Sequence, residues 1–251
     1  MDDTHIRLGT SGWSYKDWIG SVYPDGCTAA KFLRVYAERF PTVEIDSTFY
    51  GIPRESTVEK WRAETPDDFV FAAKFPQSIT HETRLQDHID EARAFIERLR
   101  LLGPKLGPLL LQFPYGFRVD AHDELDAFLA RLPDDCRIAV EVRHKSWIGD
   151  RFTDMLRAHG VALALIDHPW MPVMDTATAD FTYIRWLGDR KKIEDDFSHI
   201  RFERTEALLR WKNIVDRLST EGLFIYGYFN NHYEGHSPAT LARFRALLGL
   251  G

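Results

Sequence analysis

Cysteine is nearly absent: Cys27 and Cys136 are the only two in 251 residues. Two are too few for a disulfide framework, and they lack the paired spacing of a zinc site. Cys27 has no local signature or adjacent base that would make it a nucleophile. A reducing, cytoplasmic compartment is the expectation. Long apolar runs are missing as well. The first twelve residues carry acidic side chains and no apolar h-region, so neither a membrane-spanning helix nor an export signal is expected. Positive charge is in deficit, with a formal net charge of −6. That leaves no global field for holding a phosphate backbone and makes nucleic acid a disfavoured partner, whereas a local basic pocket can still take one phosphate or carboxylate. A glycine-rich phosphate loop is lacking too, because Gly9-Thr10-Ser11-Gly12 is too short for a dinucleotide fingerprint or a P-loop.

What the chain does have is alternation of strand-like and helix-like segments. Eight short runs rich in Val, Ile, Phe and Tyr fall at 6–10, 42–48, 69–75, 108–113, 138–144, 161–167, 181–187 and 223–230. Helical runs are read at 28–40, 87–102, 150–159 and 203–219, with start signals at Ser56 and Glu59 (capping-box spacing), Asp120, and Ser237-Pro238. Such alternation implies parallel strands with right-handed crossovers, and eight units favour closure into a (β/α)8 TIM-type barrel over an open sheet. The sixth unit is the exception. Only His168 to Asp180 separate its strands, and Pro169 and Pro172 interrupt them, so a full helix is not expected there. No repeat, low-complexity stretch or linker divides the chain, and residues 1–251 read as one barrel domain. Gly188–Ser198, with its run of charges, reads as a solvated loop.

Strand side chains alternate, so packing one face against helices assigns the other to the barrel interior. In the second strand, Val43 and Ile45 suit the helix side. Glu44, Asp46 and Thr48 then point inward, because the opposite phase would press two charges into an apolar interface. The same reasoning turns inward Arg7, Ser11, Lys74, Gln112, Glu141, Arg143, Asp167, Arg185, Tyr226, Tyr228 and Asn230. These polar groups gather late in their strands, where barrel enzymes build their sites. One buried ion pair would be ordinary scaffold. Four carboxylates facing three cations carry a desolvation cost that argues for a wet, ligand-accessible pocket.

Several strings resemble the YecE-like family, domain of unknown function 72. They are Gly9-Thr10-Ser11-Gly12-Trp13-Ser14-Tyr15, Glu44-Ile45-Asp46-Ser47-Thr48-Phe49-Tyr50, Phe69-Val70-Phe71-Ala72-Ala73-Lys74, Ile79-Thr80-His81, Leu109-Leu110-Leu111-Gln112-Phe113-Pro114, Glu141-Val142-Arg143-His144-Lys145-Ser146-Trp147 and Tyr228-Phe229-Asn230-Asn231-His232-Tyr233-Glu234-Gly235. The resemblance implies a TIM barrel related in shape to xylose-isomerase-like enzymes, with no assigned reaction. One departure stands at Tyr183-Ile184-Arg185-Trp186-Leu187-Gly188, where members often carry a histidine before the glycine.

The leading expectation is an enzyme acting by acid/base chemistry on a small polar substrate, phosphorylated or sugar-like, anionic or polyhydroxylated. Glu141 is read as the acid/base, with Glu44 and Asp46 positioning it. Lys74, Gln112, Arg143, Arg185, Tyr228, Asn230 and Asn231 are read as substrate-binding groups, and Trp13, Tyr15 and Trp147 as rings able to stack on a substrate; Trp18, Tyr50 and Trp170 also follow strands. No cofactor is expected. An oxygen-ligated Mg²⁺ or Mn²⁺ at Glu44, Asp46, Glu141 and Asp167 is the alternative, weakened by the competing cations. His144, His168 and His232 are read as loop residues or as facing away. A non-catalytic small-ligand-binding protein and a metal-assisted hydrolase acting on nucleic acid are the other functional readings, and the sequence carries no signal for oligomeric state.

Overall fold

The computed structural model describes residues 5–82 and 85–250; part of the N-terminal segment read above, residues 1–4, lies outside them. Eight parallel strands close on themselves in chain order: β1 (Ile6–Ser11), β2 (Thr42–Ile45), β3 (Val70–Lys74), β4 (Leu106–Gln112), β5 (Ile138–Glu141), β6 (Ala162–Asp167), β7 (Phe181–Trp186) and β8 (Phe224–Phe229). This is a (β/α)8 TIM-type barrel. The outer layer comprises α1 (Phe32–Ala37), α2 (Glu55–Ala63), α3 (Gln77–Thr80), α4 (Ile89–Leu99), α5 (His122–Leu129), α6 (Asp150–Ala158), α7 (Thr205–Thr220) and α8 (Ser237–Leu248). No helix separates β6 from β7, as the two prolines foretold. None of the described helices is long and apolar enough to cross a membrane.

Local signals were less accurate than the periodicity. Helix 28–40 shrinks to α1 preceded by a single tight turn, and 87–102 becomes α4 followed by a kinked turn that Gly103 and Pro104 interrupt. Ser56 lies inside α2 rather than capping it. Asp120 falls in a tight turn ahead of α5. The cap of α8 is His236, whose Nδ1 accepts from the Ala239 amide, while Ser237 gives its hydroxyl to Asn231 instead. β2 also stops at Ile45, and Asp46 opens a tight turn over Ser47–Tyr50.

Two apolar layers follow from the alternation of strand side chains. Outside, Val43, Ile45, Phe71, Leu109, Leu111, Val140, Leu163, Leu165, Ile184, Trp186 and Phe229 pack against the helices. Inside, Ala72, Ala139, Ala162 and Ala164 leave room for Tyr183, Tyr226 and Tyr228, which fill the lower and middle barrel with Leu110 and Phe181. Alternating small and large side chains fills a narrow interior without voids. Gly9 belongs to that economy: a Cβ there would lie 2.1 Å from the Thr42 carbonyl oxygen. The core therefore closes the lower barrel and leaves the C-terminal rim to the polar residues.

Candidate active site

Above the tyrosines the interior becomes ionic. Arg185 reaches inward from β7 and spans the barrel. Its Nη1 donates to Glu141 Oε2 at 2.6 Å and its Nη2 to Glu44 Oε1 at 2.7 Å. Tyr183, two residues earlier on the same face, donates its hydroxyl to Glu44 Oε2 at 2.7 Å, and Arg143 Nε donates to Glu141 Oε1. Both carboxylates are 0% exposed, and every one of their oxygens is engaged. Burial works against the Glu141 charge, but Arg143 and Arg185 outweigh it and hold the carboxyl at about 2. The chain Glu44–Arg185–Glu141–Arg143 alternates in sign and is neutral as a unit. Tyr183→Phe is expected to cost about 1–2 kcal/mol, because it strips one oxygen of a buried carboxylate of its donor; denaturant midpoints for the two proteins at pH 7 check it.

Over this floor opens a cavity of about 640 Å³ at the C-terminal ends of the strands. Its inner wall carries Ser11, Glu44, Asp46, Lys74, Gln112, Arg143, Arg185, Asn230 and Asn231. Its rim is built by loops: Phe49 and Tyr50 after β2, His81 after β3, Tyr115 after β4, His168, Pro169 and Trp170 after β6, Gly188 to Lys191 and Phe197 after β7, and His232 after β8. The 188–198 segment is a largely exposed loop, as expected, with Lys191, Lys192, Glu194, Asp195 and Asp196 all exposed, but Gly188 to Lys191 and Phe197 also form part of the wall and Ile193 is buried. Gly188 permits this. Its φ is +68°, and a Cβ would lie 2.1 Å from the His232 carbonyl oxygen, so only glycine lets the β7 and β8 loops touch.

Two titratable groups on the wall are pushed toward neutrality. Burial lowers the Lys74 ammonium to about 7, and the opposing neighbours, Arg185 and Arg143 against Glu141 and Glu44, leave desolvation in command. Asp46 opens onto the cavity, yet the protein around it and the nearby Glu44 charge raise its carboxyl above the ordinary value. His81 and His168 are both lowered to about 4, by burial first and then by neighbouring cations, among them Lys74 for His81 and Arg143 for both. His232 Nδ1 lies 2.6 Å from the Ile193 carbonyl oxygen, which can only accept, so the ring hydrogen sits on Nδ1 and Nε2 keeps its lone pair. Among the described residues, three that line the cavity each carry a polar atom that is itself buried and has no partner: Ser11 Oγ, Arg185 Nε and Asn231 Nδ2. Ser11, Arg185 and Asn231 stand at the ends of β1, β7 and β8, which are contiguous around the barrel.

The expected residues divide clearly. Glu44, Asp46, Lys74, Gln112, Arg143, Arg185, Asn230, Asn231 and Tyr15 share the cavity. Glu141 is placed beneath its floor, engaged by two arginines, rather than on its wall. Tyr228 is inward but one layer too deep, bonded to Thr42. Trp147 is buried below the loop after β5, its indole donating to the Phe117 carbonyl, and Trp13 packs edge-on against Trp61 of α2. Asp167 is a correction of phase. It faces outward and accepts from Trp211 of α7 and from Tyr233, both at 2.8 Å, while Ile166 takes the inner side. Sequence reasoning read His168 and His232 as loop residues or as facing away and did not use His81; the first two do follow their strands, and all three line the cavity. It also left Tyr115 unmentioned; with Tyr50 and Trp170 it makes three strongly exposed rings around the mouth. As for metal, Asp167 points away and Glu44 and Glu141 already hold Arg185. Among the described residues no three His, Cys, Asp or Glu side chains are grouped to hold an ion.

The family model described as "Protein of unknown function DUF72" matches residues 7–251. The UPF0759 protein YecE of Escherichia coli (strain K12) is 36% identical over 139 residues, covering 55% of this chain and 48% of the relative, so there the match spans about half the relative's length. The UPF0759 protein YunF of Bacillus subtilis (strain 168) is 28% identical over 258 residues, covering 92% of this chain and 90% of YunF. A solved DUF72 family protein from Thermotoga maritima MSB8 superposes with a TM-score of 0.79 at 29% identity, covering 97% of this chain and 99% of that one.

Proposed function

The chain belongs to the DUF72 family, whose description assigns no reaction, and from its cavity we propose an enzyme that acts by acid/base chemistry on a small polar substrate, anionic or polyhydroxylated. The observation that carries this reading is the cavity itself, where Asp46, Lys74, Arg143 and Asn230 from separate strand ends line one space. A buried donor without a partner costs about 1–3 kcal/mol. Ser11, Arg185 and Asn231 line the cavity and each carries such an atom, closed off from solvent as the side chains stand. The cations and amides of the wall, Lys74, Arg143, Gln112 and Asn230, favour a ligand that brings acceptors: hydroxyls, a carboxylate or a phosphate.

The roles follow from environment. Glu141 and Glu44 anchor Arg185 and keep its fork rigid, which suits orientation rather than proton transfer. Proton transfer falls to Lys74 and Asp46, two wall groups whose surroundings shift them from their ordinary values in opposite directions, Lys74 down and Asp46 up. Arg143, which lines the cavity and gives its Nε to Glu141, is the donor for developing negative charge.

Incubation with pooled sugar phosphates, sugar acids and polyols, followed by thermal shift and by mass spectrometry of the small molecules, tests this. The expected result is stabilisation by one class together with its chemical change. Arg143→Ala should weaken that binding about tenfold or more, the loss of one charge-assisted hydrogen bond, with the circular dichroism of the parent retained. Stabilisation without conversion would make the protein a binder. Absence of any stabilising polar compound would end the proposal.

A further inference from the structure

The fold holds two lysines away from bulk water, and it treats them differently. Lys105, 5% exposed, gives its ammonium hydrogens to the carbonyls of Arg62 and Thr65, each at 2.7 Å, and to Thr65 Oγ1 at 3.3 Å. That is how a buried ammonium keeps its charge. Among the described residues, Lys74 Nζ makes no hydrogen bond and no ion pair. Its nitrogen instead lies 3.6 Å from the centre of the Phe49 ring, on the cavity wall, with the guanidinium groups of Arg143 and Arg185 lining the same space. The ring face offers a cation about 0.5–2 kcal/mol, less than three oxygens give Lys105. Apart from that ring contact, and among the described residues, Lys74 pairs with no acid.

We propose that Lys74 is a covalent catalyst, its Nζ adding to the carbonyl carbon of an aldehyde or ketone substrate to form an imine at the end of β3. The idea rests on the cavity being a substrate site and deepens it by naming the substrate class. The amine lone pair forms the C–N bond as the carbonyl π pair moves to oxygen, where Arg143 can donate to the developing charge. That oxygen takes a proton, and Nζ gives one up, to leave the carbinolamine. A second proton on the hydroxyl, from Asp46 on the neighbouring strand end, lets it depart as water while the nitrogen lone pair closes the C=N bond. The product is a protonated imine, and water addition reverses every step. No oxidant, reductant or metal enters the balance. Two features of the wall fit such a step. At pH 7 a substantial fraction of Lys74 is the free amine that attack requires, because burial brings it to about 7. Asp46, raised by burial and by Glu44, retains a proton more readily than an ordinary aspartate.

Pyruvate, glycolaldehyde and dihydroxyacetone, each incubated with the whole protein and then sodium borohydride, provide the test, read by intact mass and peptide mapping. The expected result is one reduced adduct on Lys74, formed at probe concentrations that leave Lys60 and Lys212 unmodified, with a yield rising through its midpoint near pH 7. Lys74→Arg should keep the circular dichroism of the parent and lose the adduct. Labelling spread over surface lysines, or an adduct that survives Lys74→Arg, overturns the imine. If a polyol or a phosphate stabilises the protein and no carbonyl probe labels Lys74, the imine fails while the polar-substrate cavity stands. If nothing stabilises and nothing labels, both fail.

Discussion

Arg185→Met should lose about 3–5 kcal/mol at neutral pH, or fail to fold, because two fully buried carboxylates lose the cation they share. Glu44 would retain only the Tyr183 hydroxyl, and Glu141 only Arg143. The pH dependence distinguishes this cause from simple loss of packing. In the parent, Glu141 has a folded value of about 2 against an ordinary 4.5, so it contributes stability above about 4.5 that drains away as pH falls toward 2. Without Arg185 the desolvation of Glu141 goes less opposed and its folded value rises. The closer that carboxyl comes to keeping its proton, the smaller the variant's deficit, so the difference between variant and parent should narrow as pH drops from 7 to 5. Adding Glu44→Gln to the variant should recover part of the loss at pH 7, since it removes one of the orphaned charges. Guanidinium denaturation of the three proteins at pH 5 and 7 measures all of this. An Arg185→Met protein as stable as the parent at pH 7 would mean that the ionic floor is not what holds the upper barrel together.

How far the sequence could be read tracks how sharply each strand contrasts its two faces. In β2, Val43 and Ile45 alternate with Glu44 and Asp46, and the inward set follows at once. In β6, Ala162 to Ile166 is apolar on both faces, as parallel strands covered on both sides usually are, so alternation carried no information and Asp167 was placed on the wrong side. Beyond a strand's last residue the period of two lapses altogether. That is why His81 and His168, set by loops, escaped, and why Trp147, judged by its position after β5, belongs to the core. The acids and bases of the floor were all visible in the sequence, but their pairing was not. That Arg185 takes both glutamates and leaves Lys74 with neither depends on reach and angle across a barrel, which no spacing along the chain encodes. The unpartnered lysine could be found only by seeing which cation each carboxylate chose.

Lys74→Met should be more stable than the parent below neutrality, by on the order of 2–4 kcal/mol at pH 6, and the advantage should vanish by about pH 10.5. The folded state brings this lysine to about 7 against an ordinary 10.5. Below 7 both states are protonated and the folded one bears the whole cost of a poorly solvated ammonium. Between 7 and 10.5 the unfolded chain binds the extra proton, so the parent's stability rises with pH across that window relative to the variant's. Above it both are neutral and the difference closes. Methionine, one heavy atom shorter, keeps an unbranched chain that can pack against Phe49 and removes the charge. Groups that titrate in both proteins cancel when guanidinium midpoints are compared at pH 6, 8 and 10, so the slope of the difference belongs to position 74. A variant that is less stable than the parent at every pH would assign Lys74 to the scaffold. A gain in stability together with loss of the borohydride adduct is the signature of a side chain held in an unfavourable place for its chemistry, the trade between stability and activity that functional groups in buried sites make.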